Sequence, residues 1–171
     1  VCSSDLRDGN PNVTSITTEK VLLLSRWMAA DMYLKDIDLL RSELSMNRCS
    51  PEIRALVGDH PEPYRALLRE VRNQLRITKH WTTERLEGHP VDKEGVYIVP
   101  QQLLEPLMLL DKSLRDCGMG VIADGLLTDT IRRVACFGMT LVNLDIRQNA
   151  DRHAEVFDEL TGFYGIGCYS E

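Results

Sequence analysis

Leu141-Val142-Asn143-Leu144-Asp145-Ile146-Arg147-Gln148 alternates apolar residues with Asn143 and Asp145, then stops at an arginine. Alternation with a period of two predicts a strand over Leu141–Ile146. The residues that follow, Asn149 to Leu160, carry helical spacing, so Arg147 falls where a strand hands over to a helix. In α/β barrels and open α/β sheets, ligands gather at the C-terminal ends of strands. A guanidinium at such a place is a permanently charged fork suited to a carboxylate or phosphate. The residues alone equally allow Arg147 to pair with Asp145 or Glu155, which is the commoner fate of an arginine at a strand end.

Upstream of that run the chain reads as helices. Arg7-Asp8-Gly9-Asn10-Pro11-Asn12 is dense in turn formers and makes a polar loop, able to face a ligand or simply to turn. Thr17 or Thr18 is expected to cap a long helix reaching about Met46, with Glu19 in its first turn. Its apolar stripe is Leu23, Trp27, Ala30, Leu34, Ile37, Leu40 and Leu44, with Met28 and Met32 beside it, a pattern typical of core. Ser50-Pro51-Glu52 signals a short helix closed by Gly58.

Tyr64–Leu86 follows as a basic amphipathic helix, setting Arg65, Arg69, Arg72, Arg76, Lys79 and Arg85 around Leu68, Val71, Leu75 and Trp81. Such a face is either solvated or docks on an acidic neighbour. Gly88 to Pro100 has no period and reads as a mobile surface loop. Gln101–Cys117 is a further helix broken by Gly118-Met119-Gly120, whose glycines suit a helix C-cap better than a phosphate loop. Another helix starts near Asp124 and Thr128, runs to about Cys136 and closes at Gly138. The last, Asp151–Phe163, is stopped by Gly165 and Gly167.

About six helices and one strand result. A lone strand cannot satisfy its own backbone hydrogen bonds, so its partners are expected elsewhere in a larger protein. Both ends support that reading. The chain starts Val1-Cys2-Ser3-Ser4-Asp5-Leu6, which resembles translated sequencing-adapter sequence, so 1–6 is expected to be a non-native tail and 7–171 the genuine part. It stops in loop-like composition at Gly167-Cys168-Tyr169-Ser170-Glu171.

Totals exclude several classes. With 171 residues the chain can bury one core. A net charge of −6 argues against generic nucleic-acid binding, and no apolar run is long enough to cross a bilayer. Cys2, Cys49, Cys117, Cys136 and Cys168 lack C-x-x-C spacing and nearby paired histidines, so no metal site is expected and buried, reduced thiols in a cytoplasm are. His80 and His89 show no partner spacing.

Four stretches together carry a resemblance: Arg7-Asp8-Gly9-Asn10-Pro11-Asn12-Val13-Thr14, Glu43-Leu44-Ser45-Met46, Cys136-Phe137-Gly138, and Leu144-Asp145-Ile146-Arg147-Gln148 with Arg152-His153 after it. Their order and spacing resemble the middle of bacterial-type phosphoenolpyruvate carboxylases, from Arg7 to the end. R-D-G-N-P-x-V-T and D-I-R-Q are the specific strings. The resemblance implies a cytoplasmic, homotetrameric, allosteric lyase that fixes carbon to replenish the tricarboxylic acid cycle. It would join phosphoenolpyruvate to bicarbonate with Mg²⁺ or Mn²⁺, giving oxaloacetate and phosphate.

The implied fold is an eight-stranded TIM-like α/β barrel overgrown by helices. This chain would be a mainly α slice of it, with one or two barrel strands, Leu141–Ile146 the clearest. The resemblance makes Arg147 a ligand of the substrate phosphate, and lets Arg7, Asp8 and Asn10 shape the site. Arg48 resembles a position linked in plant-type enzymes to sugar-phosphate activation. The family's T-x-H-P-T and G-Y-S-D-S-x-K motifs, its metal-binding carboxylates and its glycine-rich mobile loop do not occur in these residues. The chain by itself is therefore expected to be inactive, with metal ligands and catalytic groups outside it. Two rival readings are a non-catalytic helical interaction domain using Tyr64–Leu86, and another phosphate-handling barrel enzyme sharing the D-I-R-Q turn.

Overall fold

A computed structural model describes residues 14–142 and 150–167, apart from the side chain of Arg152. Contacts divide the chain into two units, Lys20–Val142 and a second formed from Val1–Glu19 with Asn143–Glu171.

The described residues are helical, with no strand among them. The first helix, α1 (Ser15–Glu43), starts where Thr14 Oγ1 accepts the N–H of Thr17 at 3.2 Å. Thr14 is thus the cap, three residues before the expected Thr17, because its hydroxyl satisfies a donor that the helix itself cannot. Glu19 then lies beyond the first turn, which holds no acidic residue.

Within Lys20–Val142, α2 (Pro51–Val57) has the expected Ser50 cap, Pro51 in its first turn and Gly58 at φ 69° to end it. Helix α3 (Pro63–Glu87) ends on the left-handed Gly88, whose N–H and that of His89 return to the carbonyls of Arg85 and Glu84. Helix α4 (Pro100–Asp116) is followed by Gly118 at φ 77°. A turn of helix, α5 (Gly120–Ile122), continues through a π-type segment, Ala123–Leu127, into α6 (Thr128–Phe137). Gly125 (φ −85°, ψ −133°) is the non-helical residue in that passage. The expected single helix is therefore kinked, and Thr128 Oγ1 accommodates the kink by donating to the Ala123 carbonyl at 2.7 Å.

One core joins these helices. Tyr33, Ile37 and Leu40 of α1, with Leu44 just beyond its end, meet Tyr64, Leu68 and Leu75 of α3 and Leu103, Leu107, Leu110 and Leu114 of α4. Each fully buried Leu or Ile contributes about 1.5–3 kcal/mol by leaving water, so the helices are held by packing rather than propensity. At the centre of this core polar groups are paired: Ser113 Oγ accepts the Ser50 N–H at 2.8 Å and shares a hydrogen bond with Tyr64 Oη at 2.9 Å.

Helix α1 departs from its expected pattern. Met28 and Met32 are not core; they are 47% and 46% exposed. The segment 88–100 also departs from the mobile loop expected of it. Val96 and Tyr97 are buried, the Tyr97 N–H donates to Thr78 Oγ1 at 2.9 Å, and Arg26 Nη1 donates to the Tyr97 carbonyl at 2.7 Å. Aperiodic sequence hid a loop fastened by two buried side chains and a long-range guanidinium.

In the second unit the described residues are 14–19, at the start of α1, and α7 (Ala150–Phe163) with the turns after it. Gly165 and Gly167 both have positive φ, 67° and 114°, and stop α7 as their composition predicts.

Candidate functional site

Arg147, the residue read as a phosphate ligand, lies outside the described residues, as do Arg7, Asp8 and Asn10 and the tail 1–6. Asn143 to Ile146 of the expected strand lie outside them too. Its first two residues are described and are not strand: Leu141 and Val142 form a bend, with Leu141 at φ 59°. That left-handed conformation costs a residue with a Cβ about 1–3 kcal/mol and takes Leu141 out of strand geometry.

The reason lies one turn earlier. Gly138 ends α6 at φ 58°, and its carbonyl accepts a 2.7 Å hydrogen bond from Tyr33 Oη. The positive φ calls for glycine, and a Cβ there would also stand a tight 3.2 Å from Pro100 Cγ. Met139 is buried next to it, and Leu141 packs against the core. The chain is turned sharply here, so Leu141 and Val142 do not extend as strand.

Around the anchor, Arg133 Nη1 donates to Asp36 Oδ2, linking α6 to α1. Tyr33 has its pKa pushed up to about 12, chiefly by burial, with Asp36 adding to the rise and Arg133 opposing it. The phenol is therefore a neutral donor across the physiological range. Met32, Tyr33, Asp36, Arg133, Phe137 and Leu141 line a hollow of about 350 Å³ here. The described residues here thus form a clamped, charge-paired corner at the end of α6.

The basic helix uses much of its charge internally. Lys79 Nζ donates to Asp31 Oδ1 at 2.7 Å while lying 4.5 Å above the Trp27 ring, and Arg72 Nε donates to Asp38 Oδ1 at 2.6 Å. Arg65 donates to the Arg41 carbonyl at 2.7 Å and to Glu62. Partner numbers rise on α1 as they fall on α3, so the two helices run antiparallel along this seam. Lys79 and Lys35 together hold the Asp31 carboxyl below its ordinary pKa by hydrogen bonding and charge. Arg48 is exposed.

The expectation of uniformly buried thiols needs correction: Cys49 and Cys117 are half-buried and Cys136 is exposed, because α6 turns that side chain outward.

Sequence spacing missed one grouping. Glu84, Glu87 and His89 bring ligating atoms within 4.8 Å of one another, and His89 Nδ1 lies 2.9 Å from Glu84 Oε2. The left-handed Gly88 folds His89 back over the helix end, so the signal was a glycine cap followed by histidine. This set, one imidazole and two carboxylates with Glu84 half-buried, does not offer the oxygen-rich octahedron that Mg²⁺ demands. Hydrogen bonding between the His89 ring and Glu84 at the end of α3 accounts for the grouping.

Comparison with known proteins addresses the whole chain. The family model described as phosphoenolpyruvate carboxylase matches residues 4–171. The phosphoenolpyruvate carboxylase of Pseudomonas aeruginosa is 54% identical over 165 residues, covering 96% of this chain and 19% of the relative. Those of Pseudomonas paraeruginosa and a Marinomonas species are 55% and 51% identical over the same shares. The chain spans about a fifth (19%) of the length of these curated relatives. With a family match running almost end to end, the chain belongs to the phosphoenolpyruvate carboxylase family.

Proposed function

We propose that this chain is part of an enzyme that carboxylates phosphoenolpyruvate with bicarbonate, releasing oxaloacetate and inorganic phosphate. The observation that carries the reading is the family match over residues 4–171, which takes in both R-D-G-N-P and D-I-R-Q. In this reaction a bicarbonate oxygen attacks phosphorus, giving carboxyphosphate and the enolate of pyruvate. Carboxyphosphate yields carbon dioxide and phosphate, and the enolate carbon attacks carbon dioxide. Negative charge sits on phosphoryl oxygens throughout, and stabilising it is the main task left to the protein.

Arg147 is the residue of this chain assigned to that task. Its two parallel N–H donors match two phosphoryl oxygens, and its charge persists at every working pH. Arg7, Asp8 and Asn10 are assigned to shaping the pocket. The divalent ion, Mg²⁺ or Mn²⁺, is assigned to ligands in the rest of the polypeptide. The TIM-like barrel, the tetramer, the cytoplasmic setting, the tail nature of 1–6 and the inactivity of the chain by itself belong to the same proposal. No helix among the described residues is long and apolar enough to cross a membrane.

Arg147→Ala in the full-length enzyme tests the reading. Losing a charge-assisted contact worth about 1.5–3 kcal/mol should lower kcat/KM for phosphoenolpyruvate about ten- to a hundredfold, with KM raised. Unchanged kinetics in a folded variant would remove Arg147 from the mechanism.

A further inference from the structure

The last turn of α3 and the residue after its cap converge on one point. The left-handed Gly88 turns the chain back, and the His89 N–H donates to the Glu84 carbonyl at 2.9 Å. The His89 ring is thereby set against carboxylates of the helix just ended: Nδ1 lies 2.9 Å from Glu84 Oε2 and 3.7 Å from Glu87 Oε2. His80, one turn before Glu84, places its Nδ1 3.8 Å from the other Glu84 oxygen. Among the described residues, no lysine or arginine pairs with Glu84 or Glu87, and their ionic partners are these two histidines. Arg85, which has a partner of its own, is bonded to neither, and Lys93 of the following segment lies over the Trp81 ring. The free carbonyls at a helix C-terminus add partial negative charge. Two carboxylates and a helix end thus leave a surplus of negative charge beside an imidazole, with no fixed cation to meet it.

We propose that Glu84, Glu87 and His89 form a surface site for a divalent ion of the Zn²⁺ class, one that accepts nitrogen and oxygen ligands together. A tetrahedral Zn²⁺ with bonds of about 2.0–2.1 Å sets its ligand atoms about 3.3–3.4 Å apart. The two distances from His89 Nδ1, 2.9 and 3.7 Å, straddle that spacing, and the three ligand atoms lie within 4.8 Å of one another. Side-chain rotation at the helix end closes the remaining gap, and water fills the fourth position. An imidazole with two carboxylates suits a borderline ion, whereas Mg²⁺ keeps to oxygen ligands. Without the ion the ring is held by its hydrogen bond to Glu84. The ion takes the place of the proton shared between His89 Nδ1 and Glu84 Oε2, and that proton passes to solvent. Once bound, it cross-links the last turn of α3 to the start of the 88–100 segment. Neither Arg147 nor the carboxylation reaction enters this inference.

Isothermal titration of the full-length enzyme with ZnCl₂, in buffer holding excess Mg²⁺, tests the site. His89→Ala and Glu84→Gln should each weaken one Zn²⁺ site per subunit about tenfold or more, since losing a direct ligand costs at least what losing an outer partner does. His60→Ala alters a histidine whose Nδ1 accepts the Glu62 N–H, and it should leave that site unchanged. Cu²⁺ should bind there more tightly than Zn²⁺. Circular dichroism checks that each variant is folded. Should Glu84→Gln not fold, Glu87→Gln at a more exposed position carries the same expectation. Identical Zn²⁺ isotherms for wild type, His89→Ala and the glutamine variant would overturn the proposal. So would an equal loss in His60→Ala, which would mean binding by histidines in general. Displacement of the Zn²⁺ by Mg²⁺ at equal concentration would overturn the assigned ion class. The readout is binding, so each of these results leaves the carboxylase reading intact.

Discussion

Helices α1 and α3 lie side by side, antiparallel, and are built on opposite plans. In α3 the apolar residues Leu68, Val71, Leu75 and Trp81 form one buried stripe, and the flanking cations Arg65, Arg72 and Lys79 find carbonyls and carboxylates on α1 and beside it. In α1 the buried stripe is matched by a second apolar line facing outward. The contrast teaches that completeness is a property of single helix faces: the Leu68 face of α3 is fully partnered within this chain, and α1 is partnered on one side.

Several substitutions would break or sharpen this contrast. The largest effect is expected across α1 itself. Ile37→Ala on the buried face should cost about 2–5 kcal/mol in urea unfolding of the 171-residue chain, followed by circular dichroism. Met28→Ala on the outward face should stay within about 0.5 kcal/mol there. Similar costs for the two would abolish the distinction between the faces.

Next comes the clamp between α1 and the end of α6. Tyr33→Phe leaves the Gly138 carbonyl without its donor and should cost about 0.5–1.5 kcal/mol. Burial holds Tyr33, Tyr64 and Tyr97 at pKa values of about 12, above the ordinary 10. The unfolded chain can ionise these phenols from about pH 10 while the folded chain cannot, so stability should decline between about pH 10 and 12. Tyrosinate absorbance rising in a single step near pH 10 would contradict this.

The α1–α3 seam should be weaker. Arg72→Ala removes a partly exposed ion pair and is expected to cost at most about 1 kcal/mol, less at high salt. A loss of several kcal/mol would mean that the seam, not the Leu-rich stripe, holds α3. Asp31 gives the most subtle test. Its carboxyl is held below the ordinary value, so its contribution is present above that value and fades as pH falls through the folded one. Asp31→Asn should therefore lower stability near neutrality, where the contribution is complete, and flatten the acid limb below about pH 4, where wild type and variant converge.

Much of this architecture was legible from particular residues. Ser50-Pro51 and Gly58 bracket α2, Gly88 ends α3 and Gly118 ends α4, because caps and left-handed glycines act locally. What failed was decided at a distance. Arg26 and Thr78 fasten the 88–100 segment from two other helices, which no window of local sequence contains. The alternation from Leu141 was real, yet Tyr33 and Pro100, remote in sequence, govern how the chain leaves Gly138. Met28 and Met32 looked like core because hydrophobicity alone does not say which face of a helix packs, and both are about half exposed. The candidate site was legible only as strings, R-D-G-N-P and D-I-R-Q, and these lie outside the described residues.

Both indoles of this chain have an ammonium overhead, Lys79 at 4.5 Å from the Trp27 ring and Lys93 at 6.0 Å from that of Trp81. A positive charge on a ring face shifts and quenches its emission, so the ultraviolet glow of these 171 residues reports on α1, α3 and the loop that closes over them. Separation of the two helices would register as a change in colour and brightness, with no dye attached.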